Sequence, residues 1–159
     1  MKKVFLWAAA FVTCVAAAPA QAQVQFGAQV SYGLDVEEVA IGGRVEVPLT
    51  NTLSQTGPLS MARFAGSLDY YLGCGLGDCT IIEVNPGLIV PLQATTLKPY
   101  LGAGLNYMRI SSGGNSASET GINLIGGLNF DLSGLSAFSE ARLALGGSEQ
   151  LAISFGLLF

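Results

Sequence analysis

From residue 24 onward, apolar and polar positions alternate with a period of two, the mark of strands with two unlike faces. Val24, Phe26, Ala28, Val30, Tyr32 and Leu34 share one face against Gln25, Gly27, Gln29, Ser31 and Gly33. Val39, Ile41, Gly43, Val45 and Val47 then oppose Glu38, Ala40, Gly42, Arg44 and Glu46, and the polar stretch 35–37 predicts a short turn between the two strands. A third segment sets Ala62, Phe64, Gly66, Leu68 and Tyr70 against Met61, Arg63, Ala65, Ser67 and Asp69. A fourth sets Ile82, Val84, Leu88 and Val90 against Ile81, Glu83, Asn85 and Gly87. Pro86 interrupts that fourth segment; having no N–H for a ladder, it predicts a bulge.

Further alternating segments cover 99–108, 122–131 and 137–145, with polar loops expected at 111–119 and 146–150. The chain ends on 151–159, LAISFGLLF, where Leu151, Ile153, Phe155, Leu157 and Phe159 share a face. Each segment approaches the roughly 9–11 residues of a tilted transmembrane strand. A soluble antiparallel sandwich also shows period two. Here, however, the polar faces carry many Gly, Ala and Asn residues, which suits a crowded, narrow interior better than a solvated surface. The pattern therefore predicts an all-β chain, a closed antiparallel eight-stranded transmembrane β-barrel.

Composition adds a destination. Lys2 and Lys3 precede an apolar run from Phe5 to Ala18, and Ala20-Gln21-Ala22 has the small-x-small form of a cleavage site, so 1–22 reads as an export signal. The run is shorter than the roughly 20 residues a spanning helix needs. A lipidated Cys14 is the other possibility, but Thr13 stands where such a signal places a small apolar residue. The barrel domain is then 23–159. Its cationic residues are Arg44, Arg63, Lys98, Arg109 and Arg142, against all eleven carboxylates of the chain, a balance that argues against nucleic acid as partner.

Within 23–159 the cysteines are Cys74 and Cys79, close together in a Gly-rich loop, and an exported compartment favours a disulfide between them. Two thiolates with no His in the chain do not complete a tetrahedral metal site, so no metal and no cofactor are expected. The absence of His also removes the usual general base near neutral pH, which argues against an enzyme. A lipocalin-like carrier is disfavoured because Trp7, in the leader, is the only Trp.

The stretches 98–107 (KPYLGAGLNY), 122–130 (INLIGGLNF) and the terminal strand resemble the small eight-stranded bacterial outer-membrane β-barrels of the OmpA transmembrane domain and OmpX type. The resemblance covers 23–159 in pattern. It implies both termini on the periplasmic side, outer-membrane lipids as surroundings, a monomer, and a terminal strand (Leu151, Ile153, Phe155, Leu157, Phe159) read by the barrel-insertion machinery. Loops 35–37, 73–79, 111–119 and 146–150 fall outside and the longer 50–60 connection inside. Loops this short weaken an adhesin-like, surface-binding role.

Turning the polar parity inward gathers Arg44, Glu46, Arg63, Glu83, Asp131, Glu140 and Arg142, with Asn85, Asn106, Asn123 and Asn129. Glu140 and Arg142, two apart on one strand, face the same way and are expected at the centre. Buried charges need partners, so the predicted interior is an ion-pair and amide network with a structural role in the envelope. A narrow gated conduit, in which Arg–Glu pairs exchange partners, is the alternative.

Overall fold

The computed structural model describes residues 24–49, 52–54, 56–73, 79–92, 97–147 and 149–159. The leader and Cys74 lie outside this set, so the leader and the Cys74–Cys79 pairing are not addressed by it. Eight strands follow one another: β1 (Gln25–Gly33), β2 (Glu38–Pro48), β3 (Arg63–Tyr71), β4 (Cys79–Pro91), β5 (Lys98–Ser112), β6 (Asn115–Leu132), β7 (Leu135–Leu145) and β8 (Gln150–Leu158). Every strand pairs antiparallel with its sequence neighbours, and β8 returns to β1, closing the barrel. Closure removes the exposed sheet edges that would otherwise template aggregation. A short 3-10 turn, Pro58–Met61, lies in the β2–β3 connection.

The register sets the barrel's girth. Followed round from Gln25 through Glu46, Ala65, Gly87, Gly104, Asn123, Ala144 and Gln150, it returns to the first hairpin level with residue 35, a stagger of ten residues. Strands so staggered tilt strongly, and eight of them enclose a space that side chains can just fill.

Alternation decides what fills it. Positions such as Gln29, Ser31, Arg44, Asp69, Asn123 and Arg142 are buried inside, while Phe26, Val30, Leu68, Leu105, Ile122 and Phe155 stand exposed on the outer wall. Apart from Phe155 in the middle of β8, the aromatic residues of that wall are sorted by height. Tyr32 and Tyr70 lie one residue from the loop ends of β1 and β3, with Tyr107 on the same half of β5. Phe26, Phe64, Phe130 and Phe159 mark the end that carries the termini. Two aromatic rings flanking an apolar band are what two membrane–water interfaces select.

Two expectations are corrected. Pro86 makes no bulge: it pairs with Gly66 in an unbroken β3–β4 register, and the β4–β5 register is the same before it (Val84 opposite Tyr107) and after it (Gly87 opposite Gly104). Gly104 lets the two strands close up beside the proline. A Cβ there would lie 2.4 Å from the Pro86 carbonyl oxygen and 2.7 Å from the Gly87 Cα. Nor is 111–119 a loop. β5 and β6 stay paired up to Ser112 and Asn115, leaving only Gly113 and Gly114, at φ +56° and +83°, to turn the chain. Positive φ at both central residues is what a two-residue hairpin turn of matching twist requires. Residues 112–120 are exposed on both faces, so no apolar alternation announced the strands.

Candidate functional site: the polar interior

The interior side chains form two linked layers. Toward the end with the termini, Arg44 on β2 reaches its neighbour Glu46 (Nε to Oε1, 2.9 Å) and, across the lumen, Glu140 on β7 (Nη1 to Oε2, 2.9 Å). Tyr100 donates to the same Glu140 oxygen at 2.8 Å. The Arg44 guanidinium also stacks over the Phe138 ring, 4.3 Å from its centroid. Arg63 completes the layer, 3.4 Å from Glu46 and donating to Gln25. Two guanidiniums, Arg44 and Arg63, thus face two carboxylates, Glu46 and Glu140.

The second layer, toward the loops, centres on Asp69. Arg142 pairs with it (Nη2 to Oδ2, 3.0 Å) and donates to Ser67 Oγ at 2.5 Å. Gln29, Ser31 and Ser67 also donate to the Asp69 carboxylate, at 2.6, 3.1 and 3.1 Å. Ser31 in turn meets Ser154 at 2.8 Å, tying β1 to β8 where the barrel closes. Beside Asp69, Glu83 accepts from Tyr71 OH (2.6 Å) and Asn106 Nδ2 (2.5 Å). Asn85 Oδ1 accepts hydrogen bonds from the Nδ2 groups of Asn106 and Asn123 at 2.9 and 2.7 Å, and Gln150 Nε2 donates to Tyr71 OH at 2.8 Å. The layers meet where Arg142 Nε lies 4.0 Å from Glu140 Oε1.

Of the sequence-derived network, Arg44, Glu46, Glu83, Glu140 and Arg142 are brought together inside, and Arg63 lies at the margin of the lower layer. Asp131 is not. Its parity is inward, but it sits on the rim beside the β6–β7 turn, its side chain 72% exposed and 3.6 Å from Lys98. Asp69 is the residue that the network reading missed, although its inward parity with Arg63, Ala65 and Ser67 was visible. As a result, the main partner of Arg142 is Asp69 and not Glu83 or Glu140. The tyrosines Tyr71 and Tyr100 were also missed, because a phenol on either face of a strand carries no alternation signal of its own.

On the terminal strand, the side chains of Leu151, Ile153, Phe155 and Phe159 are exposed on the outer wall, with Leu157 half-buried among them. The Phe159 backbone closes the seam against Phe26, donating to its carbonyl at 2.7 Å and accepting from its N–H at 3.3 Å. Among the described residues no group of three or more His, Cys, Asp or Glu is placed to hold a metal ion.

No family model and no curated protein matches the sequence. The fold does have counterparts among solved structures. The N-terminal β-barrel domain of Pseudomonas aeruginosa OprF superimposes with a TM-score of 0.61 at 18% identity, covering 87% of this chain and 100% of that one. Neisserial surface protein A gives 0.55 at 17% identity over 85% and 94%. Ail, the attachment invasion locus protein of Yersinia pestis, gives 0.51 at 16% identity over 86% and 94%. The fold is therefore that of the small eight-stranded outer-membrane β-barrels.

Proposed function

We propose that the chain is an integral outer-membrane β-barrel protein with a structural, non-enzymatic role in the envelope, its interior closed to solutes. The observation that carries this reading is the lumen itself. Arg142 and Arg44 bridge to opposite walls, and hydrogen-bonded side chains occupy both layers between them. A pore needs mobile water on its axis; here the axis is crossed by charge-assisted contacts, which are among the stronger hydrogen bonds. The apolar outer wall with its aromatic rings supports lipid as the surrounding medium. On this reading 1–22 directs export and is removed, Cys74 and Cys79 are joined, the barrel is a monomer, and the insertion machinery reads the terminal strand.

The test is fractionation together with conductance. The protein should be found in the outer membrane, migrate differently in gels before and after heating, and give no sustained unitary current in planar bilayers. Recovery as a soluble periplasmic protein would refute the location, and a steady current would favour the gated conduit.

A surface-binding role is the second reading, and one observation favours it. β5 and β6 run on beyond the last β6–β7 pair, Ile122 with Leu145, with β4 paired to β5 as far as Cys79 and Ser112. This projects a polar ribbon from the loop end that the sequence did not announce. Grafting the ribbon away while retaining the barrel would test it, by loss of adherence without loss of folding.

A further inference from the structure

The outer wall is not evenly clad. Leu101 on β5, Gly126 on β6, Ala141 on β7 and Ile153 on β8 are register partners in turn, and so form one row of outward positions across the strands. Between the two large residues lie three strand spacings, about 14 Å of wall, that carry only a hydrogen and a methyl group. The result is an apolar hollow of about 390 Å³, a volume within the roughly 300–1,000 Å³ of small-molecule clefts. Leu128 and Ser139 line it beside that row, and it reaches Leu92 and Pro99 at the end of the barrel that carries the termini.

Gly126 is not there to let backbones close up. A Cβ on it would meet only Leu101 Cδ2, at 3.7 Å, which is an ordinary contact, and its φ is not positive. A larger side chain would fit and would fill the hollow. Glycine inside a strand weakens it, and often marks a place where a ligand comes close.

Charge at the rim end of the hollow points to the occupant. Lys98, next to Pro99, and Asp131, just beyond Leu128 on β6, stand 3.6 Å apart with their side chains 66% and 72% exposed. That separation is too long for a hydrogen bond, so ammonium and carboxylate can each take a further partner. Opposite charges side by side complement a headgroup that carries both, its phosphate on Lys98 and its ammonium on Asp131. A purely anionic headgroup would meet Asp131 as a like charge. From this rim the hollow climbs to Ile153, in the middle of β8, which is the direction a lipid tail takes from the interface toward the bilayer centre. A second barrel, itself convex, would rest on Leu101 and Ile153 without reaching the floor.

We propose that this hollow seats one acyl chain of a zwitterionic phospholipid of the phosphoethanolamine class, with the headgroup on Lys98 and Asp131. The inference rests on the membrane reading above and adds a specific lipid to it.

The experiment takes the full barrel from nanodiscs of equal parts phosphatidylethanolamine and phosphatidylglycerol into mild detergent and counts the lipid it retains by native mass spectrometry. One phosphatidylethanolamine should stay bound, several-fold in excess over phosphatidylglycerol. Gly126→Leu should abolish that retention while the protein still shifts on gels with heating, and Asp131→Lys should turn the preference toward phosphatidylglycerol. No retained lipid, equal retention of the two, or retention unaltered in Gly126→Leu would each overturn the proposal. A dimer that Gly126→Leu dissolves would do the same, assigning the hollow to a second copy. Should Gly126→Leu fail to fold, the unaltered barrel in deuterated detergent with one equivalent of phosphatidylethanolamine decides the matter. Nuclear Overhauser contacts from the lipid chain to the Gly126 and Ala141 amides support the site, and their absence refutes it. A folded barrel without bound lipid refutes this inference alone, whereas a chain that never folds in micelles or nanodiscs refutes the membrane reading and the lipid site together.

Discussion

Arg142 on β7 meets Asp69 on β3 at 3.0 Å, joining strands that stand on opposite sides of the eight-stranded ring. The contact is a strut across the lumen. With Arg44 reaching from β2 to Glu140 on the same β7, it makes one strand the anchor of both interior layers. Cross-lumen pairs of this kind hold together elements that the backbone ladder connects only by way of two or three intervening strands.

Arg142→Ala leaves Asp69 buried, with hydroxyl and amide donors but no counter-charge. Removing one partner of a buried pair typically costs about 3–5 kcal/mol, and a loss of that order is expected in the unfolding free energy of the detergent-folded protein. The double variant Arg142→Met with Asp69→Leu should recover much of it, since apolar replacement of both partners is often close to neutral. An unchanged midpoint in urea for Arg142→Ala would show that the strut contributes nothing to stability.

The rim pair behaves differently. Lys98 and Asp131 are 3.6 Å apart with side chains 66% and 72% exposed, so water and salt screen them. Asp131→Ala should change stability by less than about 1 kcal/mol, and any effect should fade as salt is raised. A loss comparable to that of Arg142→Ala would mean that Asp131 belongs to the interior after all.

The contrast between these two carboxylates shows what the sequence made legible. Period two told which face a residue occupies, and it did so for Asp69, Asp131 and Arg142 alike. It did not tell height along the strand, and height separates the rim position of Asp131 from the centre of the barrel. Pairing across the lumen depends on the register around the whole ring, a long-range property without a local signature, so Asp69 was passed over. The eight strands themselves were readable because lipid outside and polar side chains inside impose opposite preferences on successive residues. Where both faces meet water, at 112–120, that contrast vanishes and the strands read as a loop.

The ribbon above the wall depends on its turn. Gly113 and Gly114 hold φ of +56° and +83°, a region that costs other L-residues about 1–2 kcal/mol each. Replacing both by alanine should loosen 109–118 without unfolding the barrel. Amide exchange checks this: protection should fall on the ribbon while residues such as Asn123 and Ala152 keep theirs. Uniform loss across the barrel would show that the ribbon and the wall unfold as one unit.

Phe159 separates two roles that a terminal strand can play. Its backbone closes the seam against Phe26, but the residue is 68% exposed and its ring stands on the outer wall. Phe159→Ala keeps both seam hydrogen bonds and removes only the ring. Folding into micelles should therefore be retained, with a stability change below the roughly 1.5–3 kcal/mol of a fully buried large apolar side chain. If the ring together with Leu151, Ile153, Phe155 and Leu157 is read during assembly, the same variant should be poorly inserted in cells, with unassembled chain accumulating in the periplasm or being degraded. The two measurements have to disagree. Normal insertion in cells would reduce the terminal residue to an ordinary lipid-facing side chain, and equal losses in cells and in micelles would mean that Phe159 acts through stability alone.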